Sequence, residues 1–367
     1  MNALRKLYRG EQFYDFPKLW KRALVLSSLA VVVSLGALVF DGLNRGIEFV
    51  GGTSWEVSAP DLSVAEVRSA LGGTDAAAGK IQSVGVDAIR VRADVDGQDA
   101  VLAVTERLAD LAEVDTTEVS VTTVGPSWGG QITSKARNAL IWFFALVAVY
   151  IAVRLEWKMA VGALVAVAHD IVISVGVYAV FQFEVTPATV IAFLTIMGYS
   201  LYDTIVVFDK VHEISGRLTT TGRYTYTEMM NQALNQVLMR SINTSITSIL
   251  PVLSMLVVGS LFLGALTLQE FSIALLIGLI VGSYSSLFVA ASLVGMMKER
   301  EPQYRALAEK VRQRSGTVET RPISDDDVTA AASSPRRSAT GRQPSNRPVN
   351  SPLRSGQPPK PRKKKKR

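Results

Sequence analysis

The chain has 367 residues, 48% of them hydrophobic, a mean hydropathy of +0.25 and a net charge of +7. So apolar a composition excludes an ordinary soluble domain of this length, and the lack of cysteine excludes disulfide frameworks, thiolate metal sites and cysteine nucleophiles. The charge is uneven: residues 301–367 carry 17 Lys+Arg against 6 Asp+Glu, a surplus larger than that of the whole chain, so everything before them is net acidic.

A basic N-terminal arm, 1–22, leads into a first apolar run at 23–40, preceded by Lys18, Lys21 and Arg22. No small-residue cleavage pattern follows, so the run is expected to be a retained anchor and not a signal peptide. Residues 41–135 hold 15 acidic and 7 basic residues and alternate like a small α+β domain. Extended stretches are expected at 54–59, 80–84, 88–93 and 118–124, separated by two helices. Ser63 with Glu66 spells a capping box for the first helix, which Gly72-Gly73 closes, and 98–112 has helical apolar spacing for the second. The order β-α-β-β-α-β predicts a ferredoxin-like sandwich.

Five further apolar runs, near 139–153, 159–181, 186–208, 239–263 and 271–297, give a bundle from 139 to 297 and six transmembrane helices in all, at about 20 apolar residues per crossing. The arm, the Arg154–Lys158 turn, the Lys210–Arg223 loop and Lys298-Glu299-Arg300 are basic, whereas 182–185 and 264–270 contain no Lys or Arg. The excess of positive charge places the basic side in the cytoplasm, with both termini, and the acidic domain outside. Residues 298–367, rich in Ser, Pro and Arg and ending in Pro-Arg-Lys-Lys-Lys-Lys-Arg, are expected to be a disordered basic tail, either simply solvated or reaching anionic lipid or ribosomal RNA.

Ionisable residues inside a span are costly, roughly 2.5 to 3.5 kcal/mol on insertion scales, and invite functional readings. Asp203 in the fourth span and Arg240 opening the fifth are the candidates for proton relay, because a desolvated carboxylate can exchange between charged and neutral forms and a nearby guanidinium favours the charged one. The alternatives are a fixed ion pair between them, or Arg240 snorkelling to the interface. Ser200 and Thr204 are expected to hydrogen-bond Asp203, and Asn243 and Thr247 belong to a polar seam on the fifth span with Arg240, Thr244 and Ser248. His169-Asp170 in the third span reads more readily as a helix-packing hydrogen bond than as part of a relay. Ala274, Gly278, Gly282 and Ser286 recur every fourth residue, the small-residue spacing that lets helices approach closely in lipid. Gly51-Gly52 lacks the Lys and Ser/Thr of a phosphate loop, and no nucleotide or other cofactor is expected.

These residues resemble the SecD/SecF family of the RND superfamily, and within it the SecF proteins, over about 23–297. The resemblance rests on Leu43-Asn44-Arg45-Gly46-Ile47-Glu48-Phe49-Val50-Gly51-Gly52-Thr53, Val124-Gly125-Pro126, Arg154-Leu155-Glu156-Trp157, His169-Asp170, Gly198-Tyr199-Ser200, Asp203-Thr204 and Tyr284-Ser285-Ser286. Glu48 stands where the family usually has Asp, Tyr202 stands where an Asn commonly precedes the carboxylate, and the long tail is similar to extensions in actinobacterial members. The resemblance implies a non-enzymatic half-transporter of the cell membrane that pairs with SecD and associates with the SecYEG channel, with YidC and SecA in the wider export complex. It further implies that the pair uses the proton-motive force to help preproteins complete their passage, with Asp203 and Arg240 on the proton path. The competing readings are a scaffold joining SecD to the channel and, less well matched by a domain of about 95 residues, an RND-type small-molecule exporter.

Overall fold

The computed structural model describes residues 13–84, 88–95, 97–262 and 265–315; residues 1–12 of the basic arm and the tail from 316 onward lie outside that range. Among the described residues six helices are long and apolar enough to cross a membrane, and the chain is a multi-pass membrane protein. In chain order these are α1 (Phe16–Phe40), α5 (Pro126–Arg154), α6 (Trp157–Phe181), α7 (Pro187–Leu218), α8 (Tyr226–Ser254, running on as π-helix Met255–Phe262) and the sixth span. The sixth is built from α9 (Leu266–Ser285), a π-helical turn Ser286–Ala290 and α10 (Ala291–Glu299). A further helix, α11 (Pro302–Ser315), stands where the disordered tail was expected to have begun at 298, because Leu307 and Val311 are buried against the bundle core.

Several helices run past the apolar segments visible in the sequence. Helix α1 begins at Phe16 inside the expected arm, α5 starts at Pro126, α7 continues to Leu218 and α8 starts at Tyr226. Hydropathy reports only the length bathed in lipid, whereas backbone hydrogen bonding continues into polar turns until a cap stops it. At 1.5 Å per residue the 32-residue α7 is about 48 Å long, well beyond a 30 Å hydrocarbon core. Thr225 supplies the start signal of α8: its hydroxyl accepts from Glu228 N–H while the Glu228 carboxylate accepts from Thr225 N–H. At this end of the bundle Glu156 pairs with Lys298 and His212, Lys158 with Glu301, and Arg154 with Asp209.

Between α1 and α5 lies the α+β domain: β2 (Gly52–Ser58), α3 (Val64–Ala70), β3 (Lys80–Val84), β4 (Ala88–Ala93), α4 (Gln98–Ala112) and β5 (Ser120–Val124). The strands form one antiparallel sheet in the order β3-β4-β2-β5, which is the ferredoxin-like arrangement. Its core holds Trp55, Val67, Leu71, Ile89, Val91, Val104 and Leu108, all essentially inaccessible. Each such large side chain contributes about 1.5 to 3 kcal/mol on burial. Trp55 also satisfies its indole by donating to Thr105 Oγ1 at 3.0 Å.

The stretch from Asn44 to Thr53 acquires a physical meaning here. A two-residue strand β1 (Asn44–Arg45) pairs in parallel with β6 (Glu184–Val185) in the loop between α6 and α7, tying the domain's root to the bundle. One turn of helix, α2 (Ile47–Val50), follows and packs on α5. Gly51 and Gly52 then take φ of 86° and 111° to swing the chain into β2, and a Cβ on Gly52 would sit 2.9 Å from the Ala93 carbonyl oxygen. The paired glycines are a backbone requirement of this turn.

Within the bundle, α1 lies on α6 with Ser34 against Gly176, where a Cβ would come within 2.1 Å of the serine. The densest packing joins α9 to α7. Ala274 is fully buried; a Cβ on Gly278 would lie 2.4 Å from Ile196 Cδ1, and one on Gly282 would lie 2.9 Å from Ser200 Cβ. The small-residue row therefore serves contact with this chain's own fourth span.

Candidate functional site

Two groups of polar residues stand out, one inside the bundle and one where the bundle meets the α+β domain. The inner one is centred on α7, α8 and α9. A cavity of about 160 Å³ opens between them, walled among others by Ser200, Tyr202, Asp203, Arg240, Gly282 and Ser283. Asp203 is oriented by two hydroxyls from neighbouring helices: Ser241 Oγ donates to Oδ1 at 2.9 Å and Ser286 Oγ donates to Oδ2 at 2.5 Å. Ser286 opens the π-helical turn of the sixth span, and irregular turns of this kind recur at functional sites.

Arg240 lines the same cavity but forms no ion pair with Asp203. Its Nη2 donates to the Tyr202 hydroxyl at 3.3 Å, on an exposed part of the surface. Tyr202, which stands where the resemblance leads one to expect Asn, thus reaches across to α8 and accepts the guanidinium that was expected at the carboxylate. The supporting residues also sort differently from expectation. Ser200 lies one turn before Asp203 but donates to Asp170 Oδ2 at 2.5 Å, and Thr204 donates back to its own helix at Ser200 O, 3.0 Å. Thr204 follows Asp203 by one residue, about 100° around the helix, so a hydroxyl there faces away from the carboxylate and bonds the i−4 carbonyl instead. Thr247 likewise bonds its own Asn243 carbonyl at 2.9 Å.

The polar seam of α8 faces outward. Arg240, Asn243, Thr244 and Thr247 are exposed, as are Ile246 and Leu250 on the apolar stripe. The inward contacts come from Ser241 and Ser245, the latter hydrogen-bonded to Ser283 at 2.7 Å. Periodicity marked the seam but could not say which way it turned.

Asp170, 2% exposed, sits deeper, between α6, α7 and α9. It accepts from Ser200, from Ser285 Oγ at 2.8 Å, and shares a 3.1 Å contact with His169 Nδ1. Ser285 and Ser286, adjacent in the chain, thereby serve Asp170 and Asp203 respectively.

The second group joins the domain to the bundle, and the sequence reading missed it. Arg90 reaches Glu184 at 2.8 Å, Glu270 at 3.1 Å and Glu56 at 3.2 Å; Arg92 reaches Glu184 at 2.7 Å and also donates to Asn44 Oδ1, Gln82 Oε1 and the Arg45 carbonyl. Arg92 is 7% exposed. Burial pulls the Arg90 guanidinium down, but Glu184, Glu270 and Glu56 outweigh it and hold it above the usual arginine value. Burial dominates for Arg92, lowering it despite Glu184. Burial, and the proximity of Glu184, push Glu48 above the usual carboxylate range. The available signals were Arg90 and Arg92 at i and i+2 on one face of a strand, and Glu184 in a loop without compensating cations. Removing Glu184 leaves Arg92 without its carboxylate in a low-dielectric seam, while Arg90 keeps Glu270 and Glu56, so Glu184→Ala is expected to cost about 3 to 5 kcal/mol. Thermal unfolding of the full chain in detergent, with protease cleavage at the root of the domain as a second readout, checks this; an unchanged midpoint and unchanged cleavage rate refute it.

Comparison with known proteins places these features in context. The family model for the C-terminal region of SecD/SecF protein export membrane proteins matches residues 103–300. The chain is similar to the protein translocase subunit SecF of Streptomyces coelicolor, 42% identical over 310 residues, covering 83% of this chain and 82% of that one. Similarity to the SecF subunit of Mycobacterium tuberculosis is 37% identity over 322 residues, 85% of this chain and 73% of that one. Among solved structures, the crystal structure of the translocon-associated membrane protein SecDF from Thermus thermophilus superposes with a TM-score of 0.71 at 31% identity. That match covers 79% of this chain but only 39% of SecDF, so the chain spans well under half of that protein.

Proposed function

The chain belongs to the SecD/SecF family of protein export membrane proteins, on its SecF side, and from that premise we propose that it acts in Sec-dependent export as a half-transporter coupling the proton-motive force to late preprotein movement. The observation that carries the coupling is Asp203: a carboxylate in the bundle, held by two serine hydroxyls, at a cavity that Arg240 also borders. Such a group can take up a proton and release it again, and its hydroxyl partners can turn with each change. No guanidinium is fixed to Asp203; Arg240, held by Tyr202, borders the same cavity.

The partner is a SecD-like chain, in keeping with the longer SecDF protein, which this chain matches over 39% of its length. The outward polar face of α8 supports this. Arg240, Asn243, Thr244 and Thr247 on one membrane helix would be expensive against lipid tails, and a facing helix that is itself polar removes the cost. The distribution of Lys and Arg supports cytoplasmic termini and an α+β domain on the far side, beside the exit of the SecYEG channel.

The test is export into sealed membrane vesicles from a strain lacking the chain. Wild-type chain is expected to raise late-stage export only while a proton gradient exists, and an uncoupler should remove the whole gain. Arg240→Lys should keep part of the gain, since the charge survives without the planar fork, and Arg240→Ala should lose most of it. A gain that survives the uncoupler would refute the coupling, and full activity in Arg240→Ala would reduce Arg240 to an interfacial anchor.

A further inference from the structure

The His169–Asp170 pair, read from sequence as helix packing, has the surroundings of a second proton site. Asp170 is a buried carboxylate in a membrane helix whose ion-pair partner among the described residues is His169. The titratable groups facing the pair are few. Asp203 lies one turn from Ser200 on α7, and Tyr284 on α9 has its ring 6.4 Å from the imidazole and its hydroxyl committed to Ala23 O and Ser27. The charged side chains of α1, Lys18, Lys21 and Arg22, are exposed. Arg154 of α5 is held by Asp209, Arg240 of α8 by Tyr202, and Lys298 of α10 by Glu156. His169 Nε2 is buried and has no hydrogen-bond partner, which leaves a second nitrogen on which the pair's charge can change.

The route to the pair is a single hydroxyl. Ser200 borders the Asp203 cavity on one side and donates to Asp170 Oδ2 at 2.5 Å on the other, while Asp170 and Ser285 do not line the cavity. Ser285 has an alternative acceptor in its own helix, Gly282 O at 3.2 Å, to which its hydrogen can turn when Asp170 becomes neutral. We propose that His169 and Asp170 form a second proton-binding site, loaded from the Asp203 cavity through the Ser200 hydroxyl. In the loading step a proton from a hydrated proton in the cavity or from the Asp203 carboxyl bonds to Ser200 Oγ as the serine's own hydrogen crosses to Asp170 Oδ2. Two O–H bonds break, at the donor and at Ser200, and two form, at Ser200 and at Asp170; the serine is regenerated and the donor is left as water or as the Asp203 carboxylate. The inference rests on the reading of Asp203 as a proton carrier and extends it from one carboxylate to two.

Infrared difference spectroscopy after a pH jump, on the full chain in lipid nanodiscs, tests it through the carboxyl and carboxylate bands. Wild type is expected to show two protonation components, of which Asp203→Asn removes one and Asp170→Asn the other. Ser200→Ala should slow the Asp170 component about tenfold or more, a barrier change of roughly 1.4 kcal/mol, and leave the Asp203 component unchanged. Ser285→Ala, which deletes a donor to the same carboxyl oxygen but not one bordering the cavity, should leave both rates unchanged. Equal slowing by the two serine variants would show a structural role and overturn the proposal, even if Asp170→Asn fails to fold. An Asp203 component without an Asp170 component overturns the second site and spares the coupling reading; loss of both components overturns both.

Discussion

Asp203→Asn is expected to abolish the gradient-dependent part of export, a loss of roughly a hundredfold or more if a positioned proton carrier makes its usual contribution. The substitution keeps size and polarity but deletes the exchangeable proton. Its amide can still accept from one serine through Oδ1, while its NH2 group must donate to the other, so one of Ser241 and Ser286 reverses its hydrogen bond and the bundle remains satisfied. The variant should therefore insert, remain bound to its partner and resist protease as wild type does, while vesicle export falls to the level seen without the chain. Ser241→Ala and Ser286→Ala, which leave the carboxyl in place with one donor fewer, should give intermediate losses. Full gradient-dependent export in Asp203→Asn would remove the proton-carrying role.

Gly278→Leu is the structural counterpart. A Cβ at Gly278 would fall 2.4, 2.5 and 2.9 Å from three side-chain carbons of Ile196, itself only 3% exposed. Isoleucine is stiff about its first torsion and has nowhere to turn, so the helices must separate. Overpacking of this kind costs about 1 to 3 kcal/mol for one added side chain, and Gly282→Leu adds a second clash, against Ser200. Because both neighbours belong to this chain, the lowered unfolding temperature and faster proteolysis should appear in the purified single chain, before any partner is added. A Gly278→Leu chain as stable alone as wild type, yet unable to hold its partner, would move the row to the subunit interface.

Much of this was open to reading along the chain. Six spans follow from runs of about 20 apolar residues, because lipid imposes that length whatever the helices pack against. The ferredoxin-like order follows from alternating strands around two helices, the first of them opened by the Ser63–Glu66 capping box that the sequence spells. Asp203, Asp170 and His169 could be singled out because ionisable residues in a span are costly. The comparisons place the chain in the family its motifs resemble. The small-residue row could be recognised as close packing, but its direction could not, since a row every fourth residue is the same whether the neighbour is Ile196 of this chain or a helix of another.

Sequence alone thus determined which segments cross the membrane, which form the α+β domain and which ionisable residues lie inside a span, because those depend on local composition and on the cost of polar groups in lipid. Tertiary structure decided the partnerships. Ser200 serves Asp170 in place of Asp203, Tyr202 takes Arg240, Ser241 and Ser286 arrive from two other helices to hold Asp203, and Arg90 and Arg92 meet Glu184 across about 90 residues of chain. Hydrogen bonds and ion pairs act over about 3 Å, and only the packing of helices and sheet brings residues so distant in sequence within that reach.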